Sequence, residues 1–381
     1  MTSDVAKLDV AKLATLKGRA ATFQPDNRFE RLQYVPDEPS RLAYGNDDGA
    51  LPSRYVVDTS QTALVKNTSP DIPFTYGLNP YRGCEHGCAY CYARQTHEYL
   101  GLSSGLDFET VILTKPNIAS LLDTELRRPK WQPQVVSMSG VTDCYQPLER
   151  KLQLTRGCLE VFAAFRNPVA IITKNHLVTR DLDLLQELSE FSCVSVGISL
   201  TTLNEDLRSK LEPRTSTAMR RLDAVRKLRE AGVQVGVMIA PIIPGLNDHE
   251  IVSLLEAAAD AGAQFAGMGI VQLPYSVKDV FVDWLNVHYP ERAGRVLNRI
   301  REVHGGKLND PRFHTRTKGE GRYAEQLWQL FRVSRKRVGL DQKLRTLTPE
   351  HFAVPDAQGR HAHQPSLFEL ALVKESSIRP S

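Results

Sequence analysis

The stretch NPYRGCEHGCAYCYAR, residues 79–94, places Cys84, Cys88 and Cys91 within eight residues. The other three cysteines of the chain are scattered between residues 144 and 193. Two glycines in the stretch allow tight turns that bring the three sulfurs to one corner. Thiolates favour zinc, copper(I) or iron–sulfur clusters. Three thiolates on a 4Fe–4S cluster leave one iron open, and an open coordination position is a reactive one.

The alternative for these thiols is a structural zinc ion with His86 as the fourth ligand. His86 lies between Cys84 and Cys88. A loop this short has difficulty in presenting an imidazole to the ion that the flanking cysteines bind. We therefore favour a 4Fe–4S cluster on Cys84, Cys88 and Cys91 and keep zinc as the second hypothesis.

The composition predicts a cytoplasmic protein without a membrane segment. Of its 381 residues 41% are hydrophobic, which is enough for a sizeable core. Six cysteines in this arrangement do not form a secreted disulfide framework. Residues 1–20 lack the apolar centre of a signal peptide. The most apolar run, residues 235–246, is short and contains two prolines.

Short β-branched runs alternate with amphipathic helical stretches between about residues 72 and 273. This alternation predicts parallel βα units with right-handed crossovers. Two helical stretches, 215–232 and 249–262, end on a glycine that is typical of a helix C-terminus. Six or seven units would form a partial or full barrel of the TIM type, with the active site at the C-terminal ends of its strands. The predicted strands span residues 72–77, 109–115, 134–140, 168–174, 193–200, 233–241 and 264–273.

We divide the chain into four parts on this basis. Residues 1–70 are polar and punctuated by proline, and we expect a loosely structured N-terminal extension. Residues 71–275 form the barrel. Residues 276–350 form a basic, helical C-terminal extension, and residues 351–381 form a flexible tail.

The C-x3-C-x2-C spacing, with the aromatic Tyr90 before the last cysteine, resembles the radical S-adenosylmethionine (radical SAM) superfamily. The resemblance implies a partial (β/α)6-type TIM barrel and a 4Fe–4S cluster whose fourth iron is chelated by S-adenosylmethionine. It implies an enzyme that cleaves S-adenosylmethionine to a 5′-deoxyadenosyl radical. An electron donor such as a flavodoxin or ferredoxin would be a partner. The chain itself would position the reactants and exclude water.

Polar residues follow several predicted strands, where the resemblance places S-adenosylmethionine. Asp143 would bind the cationic amino group, and Lys174 and Arg214 would pair with the carboxylate. Each also has an ordinary interpretation, as a helix cap, a solvated strand end and a surface ion pair respectively. The predicted cosubstrate-binding residues are Tyr90, Ser139, Thr142, Asp143, Lys174, Ser199 and Arg214.

The cysteine loop and the segment SGVTDCYQPLE (139–149) look most like the spore photoproduct lyase-like branch of the superfamily, beside an uncharacterised bacterial family. Spore photoproduct lyase cleaves a thymine dimer in DNA and uses a hydrogen-donating cysteine just before the residue that Asp143 matches. This sequence has Gly140 in that neighbourhood and carries Cys144 after the aspartate. Cys144 is therefore a candidate donor from a shifted position, with a small buried residue as the alternative. Tyr92 is a candidate radical relay.

Positive charge is concentrated near the C-terminus. Residues 291–350 hold 15 Lys and Arg against 7 Asp and Glu, a net +8, in a chain whose total is +4. Tyr323, Trp328 and Phe331 are interleaved with these cations. Cations for phosphates and aromatic rings for stacking predict contact with DNA or RNA. The alternative is a solvated basic helix whose Trp328 and Phe331 pack on the barrel.

The tail contains QPSLF, Gln364–Phe368, in a polar setting. It resembles the Q-x-S/D-L-F peptide by which bacterial repair proteins dock on the replication sliding clamp. Leu367 and Phe368 would be the two apolar anchors of such an extended peptide. The alternative is a tail that docks on its own barrel.

These features predict a radical SAM enzyme that acts on nucleic acid or on a DNA lesion. A second hypothesis is radical modification of a protein or a small metabolite. A third, from a different class, is a non-catalytic, zinc-stabilised nucleic-acid-binding protein.

Overall fold

The computed structural model describes residues 18–21, 24–29, 51–342 and 344–356. The predicted clamp peptide, Gln364–Phe368, lies outside these residues. None of the helices in the described ranges is long and apolar enough to cross a membrane.

The described part of the chain contains ten strands in two sheets. Strands β3 and β6 to β10 lie side by side in chain order and are all parallel. Strand β2 adds an antiparallel edge to β3. This is a partial (β/α)6-type barrel, as predicted. The strands are β1 (Arg54–Val57), β2 (Leu64–Lys66), β3 (Tyr76–Leu78), β4 (Tyr81–Arg82), β5 (Val111–Thr114), β6 (Val136–Met138), β7 (Val169–Thr173), β8 (Val194–Ser199), β9 (Gln234–Ile242) and β10 (Ala266–Ile270).

Helices cover the outside of the parallel sheet and continue beyond it. They are α1 (Leu106–Thr110), α2 (Ile118–Leu126), α3 (Glu149–Leu152), α4 (Leu154–Phe165), α5 (Leu182–Glu190), α6 (Glu205–Leu211), α7 (Ala218–Glu230), α8 (Ile251–Asp260), α9 (Val277–His288), α10 (Pro290–Val303) and α11 (Gly321–Arg337). Short 3-10 helices span Tyr92–Leu100, His176–Asp181 and Asp248–Glu250.

Local sequence explains where the barrel helices begin and end. The Thr217 side chain accepts a hydrogen bond from the backbone N–H of Arg220 and caps α7. Gly232 and Gly262, with φ of 77° and 89°, stop α7 and α8 in the left-handed conformation that glycine adopts easily. Both helix ends agree with the prediction from sequence.

The prediction that residues 109–115 form a barrel strand is wrong. Strand β5 is the centre of a separate three-stranded sheet, parallel to β1 and antiparallel to β4. A short apolar run is compatible with any buried strand, and its neighbours are set by tertiary packing. The expected loose extension, residues 1–70, also supplies the ordered strands β1 and β2.

The C-terminal helices pack beside β10, and the start of the expected flexible tail is also packed. Leu327 and Phe331 of α11 are buried. Phe352 lies against Phe165, and the Ala353 N–H donates to the Phe165 carbonyl over 3.1 Å. Phe165 precedes β7, so residues 344–356 cross the N-terminal ends of the barrel strands.

Candidate active site

The cysteine loop follows β3 and β4 at the C-terminal end of the barrel. Cys84 and Cys88 are buried and Cys91 is partly exposed. The Cys84 N–H donates to the Phe108 carbonyl over 2.9 Å. Within the loop, the Gly87 N–H donates to the Cys84 carbonyl and the Cys91 N–H to the Cys88 carbonyl, both over 3.3 Å. The three thiols are therefore carried on one tightly turned segment.

Two glycines allow the loop to lie against its support. Gly83 and Gly87 have φ of 82° and 65°, which side chains other than glycine rarely adopt. A Cβ at Gly83 would lie 2.8 Å from the Val111 carbonyl oxygen, and one at Gly87 would lie 2.8 Å from Glu109 Oε2. The sequence prediction that these glycines serve the turn is consistent with this geometry.

A buried arginine braces the loop from inside. Arg94 Nε donates to the Cys88 carbonyl over 2.9 Å, and its Nη1 donates to the carbonyls of Ser104 and Gly105. Its Nη2 pairs with Glu109, and neither side chain of this pair is exposed to solvent. Arg94 thus ties the middle cysteine to α1.

The N-terminal segment 18–21 completes this support. Ala20 and Ala21 are buried, and their N–H groups donate to the Glu109 carboxylate over 3.2 and 2.9 Å. Arg19 Nη1 donates to the Glu109 carbonyl over 2.6 Å. Glu109 therefore connects a distant part of the chain with the cysteine loop, and sequence reasoning missed this role.

The three thiols share one electrostatic environment. Burial raises the pKa of Cys84, Cys88 and Cys91. Cys84 and Cys91 each raise the pKa of Cys88 further, whereas the Lys174 ammonium lowers it, so these groups lie within electrostatic reach of one another. Three neighbouring thiols, with a cation beside them to stabilise thiolates, fit an iron–sulfur cluster.

The contacts of His86 do not fit the zinc hypothesis. Its Nδ1 lies 3.4 Å from Asp143 Oδ2, and its Nε2 lies 3.2 Å from Asn175 Nδ2. Both ring nitrogens are therefore occupied by groups other than the thiols. Among the described residues, no three His, Cys, Asp or Glu side chains are arranged around a single metal ion. A cluster suits the three cysteines better, because each thiolate then binds a different iron.

Asp143 follows β6, as predicted, and its carboxylate is already surrounded by donors. Oδ1 accepts from Thr173 Oγ1 over 2.7 Å, and Oδ2 accepts from the Lys174 N–H over 2.8 Å. Burial alone would raise the pKa of Asp143, but His86 and these hydrogen bonds lower it to about 2. The structure thus shows Asp143 joining the β6 and β7 ends to His86. Its predicted contact with S-adenosylmethionine stays a prediction.

The other predicted residues of the β6 loop are occupied by backbone contacts. Ser139 adopts φ of 76°, and its Oγ accepts from the Cys144 N–H over 3.0 Å. Thr142 is buried and donates to the Tyr81 carbonyl over 2.9 Å. Cys144 is fully buried, and burial, followed by the nearby Asp143 carboxylate, raises the pKa of its thiol. Its burial fits the alternative of a small packed thiol, and its role as a hydrogen donor stays a prediction.

Lys174 and Ser199 meet at the ends of β7 and β8. Lys174 Nζ donates to Ser199 Oγ over 2.9 Å and lies 5.9 Å from the centroid of the Tyr90 ring. Ser199 Oγ in turn donates to the Ala240 carbonyl over 3.2 Å. The structure brings these three predicted residues together beside Cys88, and their contact with S-adenosylmethionine stays a prediction.

An ion pair that the sequence did not reveal lies beneath Tyr90. The Tyr90 hydroxyl and Arg221 both donate to the Glu212 carboxylate, and Thr201 Oγ1 donates to it over 2.7 Å. Burial alone would raise the pKa of Glu212, but Arg221 and then Lys174 lower it to about 2. Arg221 also donates to the Ser199 carbonyl over 2.9 Å. This network fixes the C-terminal end of β8 and the floor under the cysteine loop.

Arg214, predicted as a fork for a carboxylate, contacts a protein carboxylate. Its Nη1 lies 3.3 Å from Glu85 Oε1, and its side chain is about one third exposed. This contact fits the ordinary ion-pair interpretation, and the predicted contact of Arg214 with the S-adenosylmethionine carboxylate stays a prediction. Glu212, two residues earlier in the same EPRT segment, is the buried group.

Tyr92 lies at the mouth of the barrel. Its hydroxyl donates to the Gly140 carbonyl over 2.7 Å, and about half of the side chain is exposed. Arg316, whose Nη2 donates to Ser69 Oγ over 2.8 Å, is within electrostatic reach of Tyr92. Tyr92 thus connects the cysteine loop to the loop after β6, and its predicted role in a radical relay stays a prediction.

Comparison with known proteins agrees with this barrel and its three-cysteine loop. The family model of the radical SAM superfamily matches residues 78–258. An uncharacterised protein of Mycobacterium tuberculosis is 38% identical over 235 residues, which cover 61% of this chain and 68% of the relative. The Radical SAM Nalpha-GlyT isomerase of Pseudomonas phage M6 is 25% identical over 232 residues, covering 60% of this chain and 46% of that protein.

Solved structures show the same fold. Spore photoproduct lyase in complex with dinucleoside spore photoproduct matches with a TM-score of 0.56 and 17% identity, covering 81% of this chain and 85% of that one. A variant of that lyase with bound AdoMet matches with a TM-score of 0.52, 17% identity and the same coverage. At these identities the likeness concerns the fold.

The fold and the site define an enzyme whose cysteine loop lies at the mouth of a partial barrel. The chain belongs to the radical SAM superfamily. Its cofactors are a 4Fe–4S cluster and S-adenosylmethionine, as the resemblance implied. When bound, they supply the reductive cleavage that generates the radical. The chain's own residues hold the three thiols on one segment and brace the floor of the site with hydrogen bonds and ion pairs.

Proposed function

We propose that this radical SAM enzyme acts on nucleic acid and that α11 forms part of the binding surface. The observation that carries the proposal is a set of exposed cations on α11, Arg322, Arg332 and Lys336. At about 100° per residue they fall within an arc of about 80° around the helix. Within the described ranges none of the three has an acidic partner.

Two neighbouring cations, in contrast, are neutralised by carboxylates. Arg337 pairs with Glu256 of α8, and Arg312 pairs with Asp310. Arg335 is partly buried and donates to the Ala266 carbonyl. Unpaired cations on one helix face suit a phosphate backbone.

The expectation that this helix also stacks on bases is not supported. Phe331 is buried, the Trp328 indole N–H donates to the Lys318 carbonyl over 2.7 Å, and the Tyr323 hydroxyl donates to Asp248. The aromatic rings hold α11 on the barrel, as the alternative interpretation held. We therefore assign α11 to phosphate contacts.

One solved structure with the same fold holds a dinucleoside ligand. The lyase whose fold this chain shares was solved with dinucleoside spore photoproduct. That likeness concerns the fold, so the α11 cations carry the proposal and the lesion or base is not assigned.

Binding of a labelled oligonucleotide at several salt concentrations tests the proposal. Arg322→Glu with Arg332→Glu and Lys336→Glu should weaken binding and flatten the log–log salt slope by up to about 3 units, at about 0.9 per duplex phosphate. The matched control reverses Arg128, Lys130 and Arg229, three exposed cations near the C-terminal ends of α2 and α7 at the opposite end of the barrel. Equal binding by both variants would contradict the proposal.

Turnover gives the second readout. Under anaerobic conditions with dithionite and S-adenosylmethionine, an oligonucleotide that is a substrate should increase the rate of 5′-deoxyadenosine formation. If DNA and RNA do not change the rate of 5′-deoxyadenosine formation but a protein or metabolite increases it, the result would favour radical modification of a protein or small metabolite.

We propose Tyr92 and Cys144 as the groups to test for hydrogen transfer. Tyr92 is at the mouth, whereas Cys144 is fully buried. Tyr92→Phe and Cys144→Ala should both retain the cluster. If the replaced residue donates a hydrogen atom, its variant should still make 5′-deoxyadenosine with substrate but release altered products. Wild-type products from Cys144→Ala would show that Cys144 is only a packed thiol.

We also propose that the tail recruits the replication sliding clamp. Residues 344–356 cross the N-terminal ends of the strands, where the Thr348 N–H donates to the Ser192 carbonyl. Leu367→Ala with Phe368→Ala should abolish clamp capture, because each side chain loses about 1.5–3 kcal/mol of burial free energy. The same variant should leave oligonucleotide binding unchanged.

A further inference from the structure

A cleft of about 550 Å³ lies between the loop after β9 and the helices α10 and α11. Arg292 and Arg295 of α10 and His249 of the loop line it. This volume is within the range of ligand sites in proteins.

The charge of the cleft favours an anion. Arg292 and Arg295 are exposed, stand three positions apart and so share one side of α10. Within the part of the chain that the structure describes, neither has a carboxylate partner. On the same helix Arg299 is paired with Glu302 over 2.7 Å, so the two lining arginines differ from their neighbour.

Asp248 is the acidic residue of the lining, and it is engaged. Its Oδ2 accepts from the Gly245 N–H over 2.9 Å and from the Tyr323 hydroxyl. Arg299, which lies 4.5 Å from the centroid of the Tyr323 ring, is within electrostatic reach of Asp248. Asp248 therefore fixes the loop to α11 and forms no ion pair with Arg292 or Arg295 in the described part of the chain.

The floor of the cleft is connected to the active site by hydrogen bonds. Asn247, in the same loop, is buried, and its Nδ2 donates to the Thr201 carbonyl over 2.8 Å and to the Pro241 carbonyl over 3.1 Å. Thr201 belongs to the Glu212 network beneath Tyr90. A ligand in the cleft would thus rest on the loop that closes the ends of β8 and β9.

We propose that this cleft binds a backbone phosphate of the nucleic-acid substrate through Arg292 and Arg295. Guanidinium groups match phosphate geometry with two parallel hydrogen bonds, and such contacts set the register of a nucleic acid without reading its sequence. The cleft holds the strand beside the barrel mouth. This inference rests on the proposed function and adds a specific phosphate site to it.

The test compares two charge-matched double variants of the cluster-loaded protein. Arg292→Glu with Arg295→Glu should weaken oligonucleotide binding at least about tenfold and flatten the salt slope by about 1–2 units. Arg128→Glu with Lys130→Glu makes the same charge change at the opposite end of the barrel and should have a much smaller effect. Arg292→Lys with Arg295→Lys should keep the salt slope but lose affinity, because lysine cannot form the bidentate contact.

The outcomes separate this inference from the function on which it rests. Wild-type protein that binds the oligonucleotide, with both Glu double variants binding equally, would overturn the phosphate site and leave the proposed function standing. Wild-type protein that binds no oligonucleotide would overturn both. Equal visible absorbance of the cluster in all variants shows that these surface changes leave the fold intact.

Discussion

Arg94 and Glu109 form a fully buried ion pair that links the cysteine loop to the N-terminal segment. Arg94 holds the Cys88 carbonyl, and Glu109 holds the N–H groups of Ala20 and Ala21. The conformation of the cysteine loop thus depends on residues that are far from it in sequence. A pair that is buried and hydrogen-bonded on all sides is costly to break from one end.

Glu109→Gln should therefore destabilise the protein by about 3–5 kcal/mol, because it leaves the Arg94 guanidinium buried without a countercharge. Chemical denaturation of the cluster-free protein measures the loss, and iron content after reconstitution reports the effect on the loop. Asp123→Asn is the control, because its pair with Arg127 is exposed and is expected to contribute less than about 1 kcal/mol. Similar losses in the two variants would contradict the bracing role.

The assignment of Cys84, Cys88 and Cys91 as cluster ligands predicts that these cysteines and the others respond differently to substitution. Changing Cys84, Cys88 or Cys91 to Ala should remove the visible absorbance of the cluster and the cleavage of S-adenosylmethionine. Cys158→Ala should keep both, since this fully buried thiol lies in the core among helix residues. Loss of the cluster in Cys158→Ala as complete as in Cys88→Ala would show the assignment to be wrong.

Of the two residues predicted to pair with the S-adenosylmethionine carboxylate, Lys174 is the one without an ion pair to a protein carboxylate among the described residues. Its ammonium lies on Ser199 and beside Tyr90, within electrostatic reach of Cys88 and Cys91. Lys174→Ala should keep the cluster and weaken S-adenosylmethionine binding by roughly 10- to 100-fold, the loss of one charge-assisted contact of about 1.5–3 kcal/mol. Equilibrium binding to the reconstituted protein is the measurement, with Lys151→Ala as an exposed control; unchanged affinity in Lys174→Ala would remove it from the site.

The sequence predicted the features that are local in the chain. The three cysteines, the alternation of strands and helices and the glycine ends of α7 and α8 each depend on a few consecutive residues. The outer position of β5 and the pairing of Arg214 with Glu85 depend on which distant segments pack together. No spacing in a single sequence encodes that information.

Helical periodicity could have corrected one prediction before the structure was known. Ala324, Leu327, Phe331 and Ser334 are separated by three, four and three positions, so they share one face of α11, and all four are buried. Phe331 thus belongs to the inner face and is not free for base stacking. The exposed cations Arg322, Arg332 and Lys336 follow from the same periodicity on the outer face.

Stability should also depend on pH through Glu212. Its pKa is lowered from an ordinary 4.5 to about 2 in the folded protein, because Arg221, Lys174 and hydrogen bonds from Tyr90 and Thr201 outweigh its burial. The unfolded chain therefore binds a proton at higher pH than the folded protein does. The stabilisation is complete above about pH 4.5 and is lost as the pH falls toward 2.

Glu212→Gln should remove this part of the pH dependence of the free energy of unfolding. The free energy of unfolding of the cluster-free variant should be lower at pH 7, because Arg221 loses its partner, and should change less between pH 4.5 and 2.5 than that of the wild type. Tyr90→Phe removes one hydrogen bond to Glu212 and should give a smaller shift in the same direction. Denaturant titrations at several pH values measure both; profiles that run parallel to the wild type would show that another carboxylate, such as Asp143, carries the acid sensitivity.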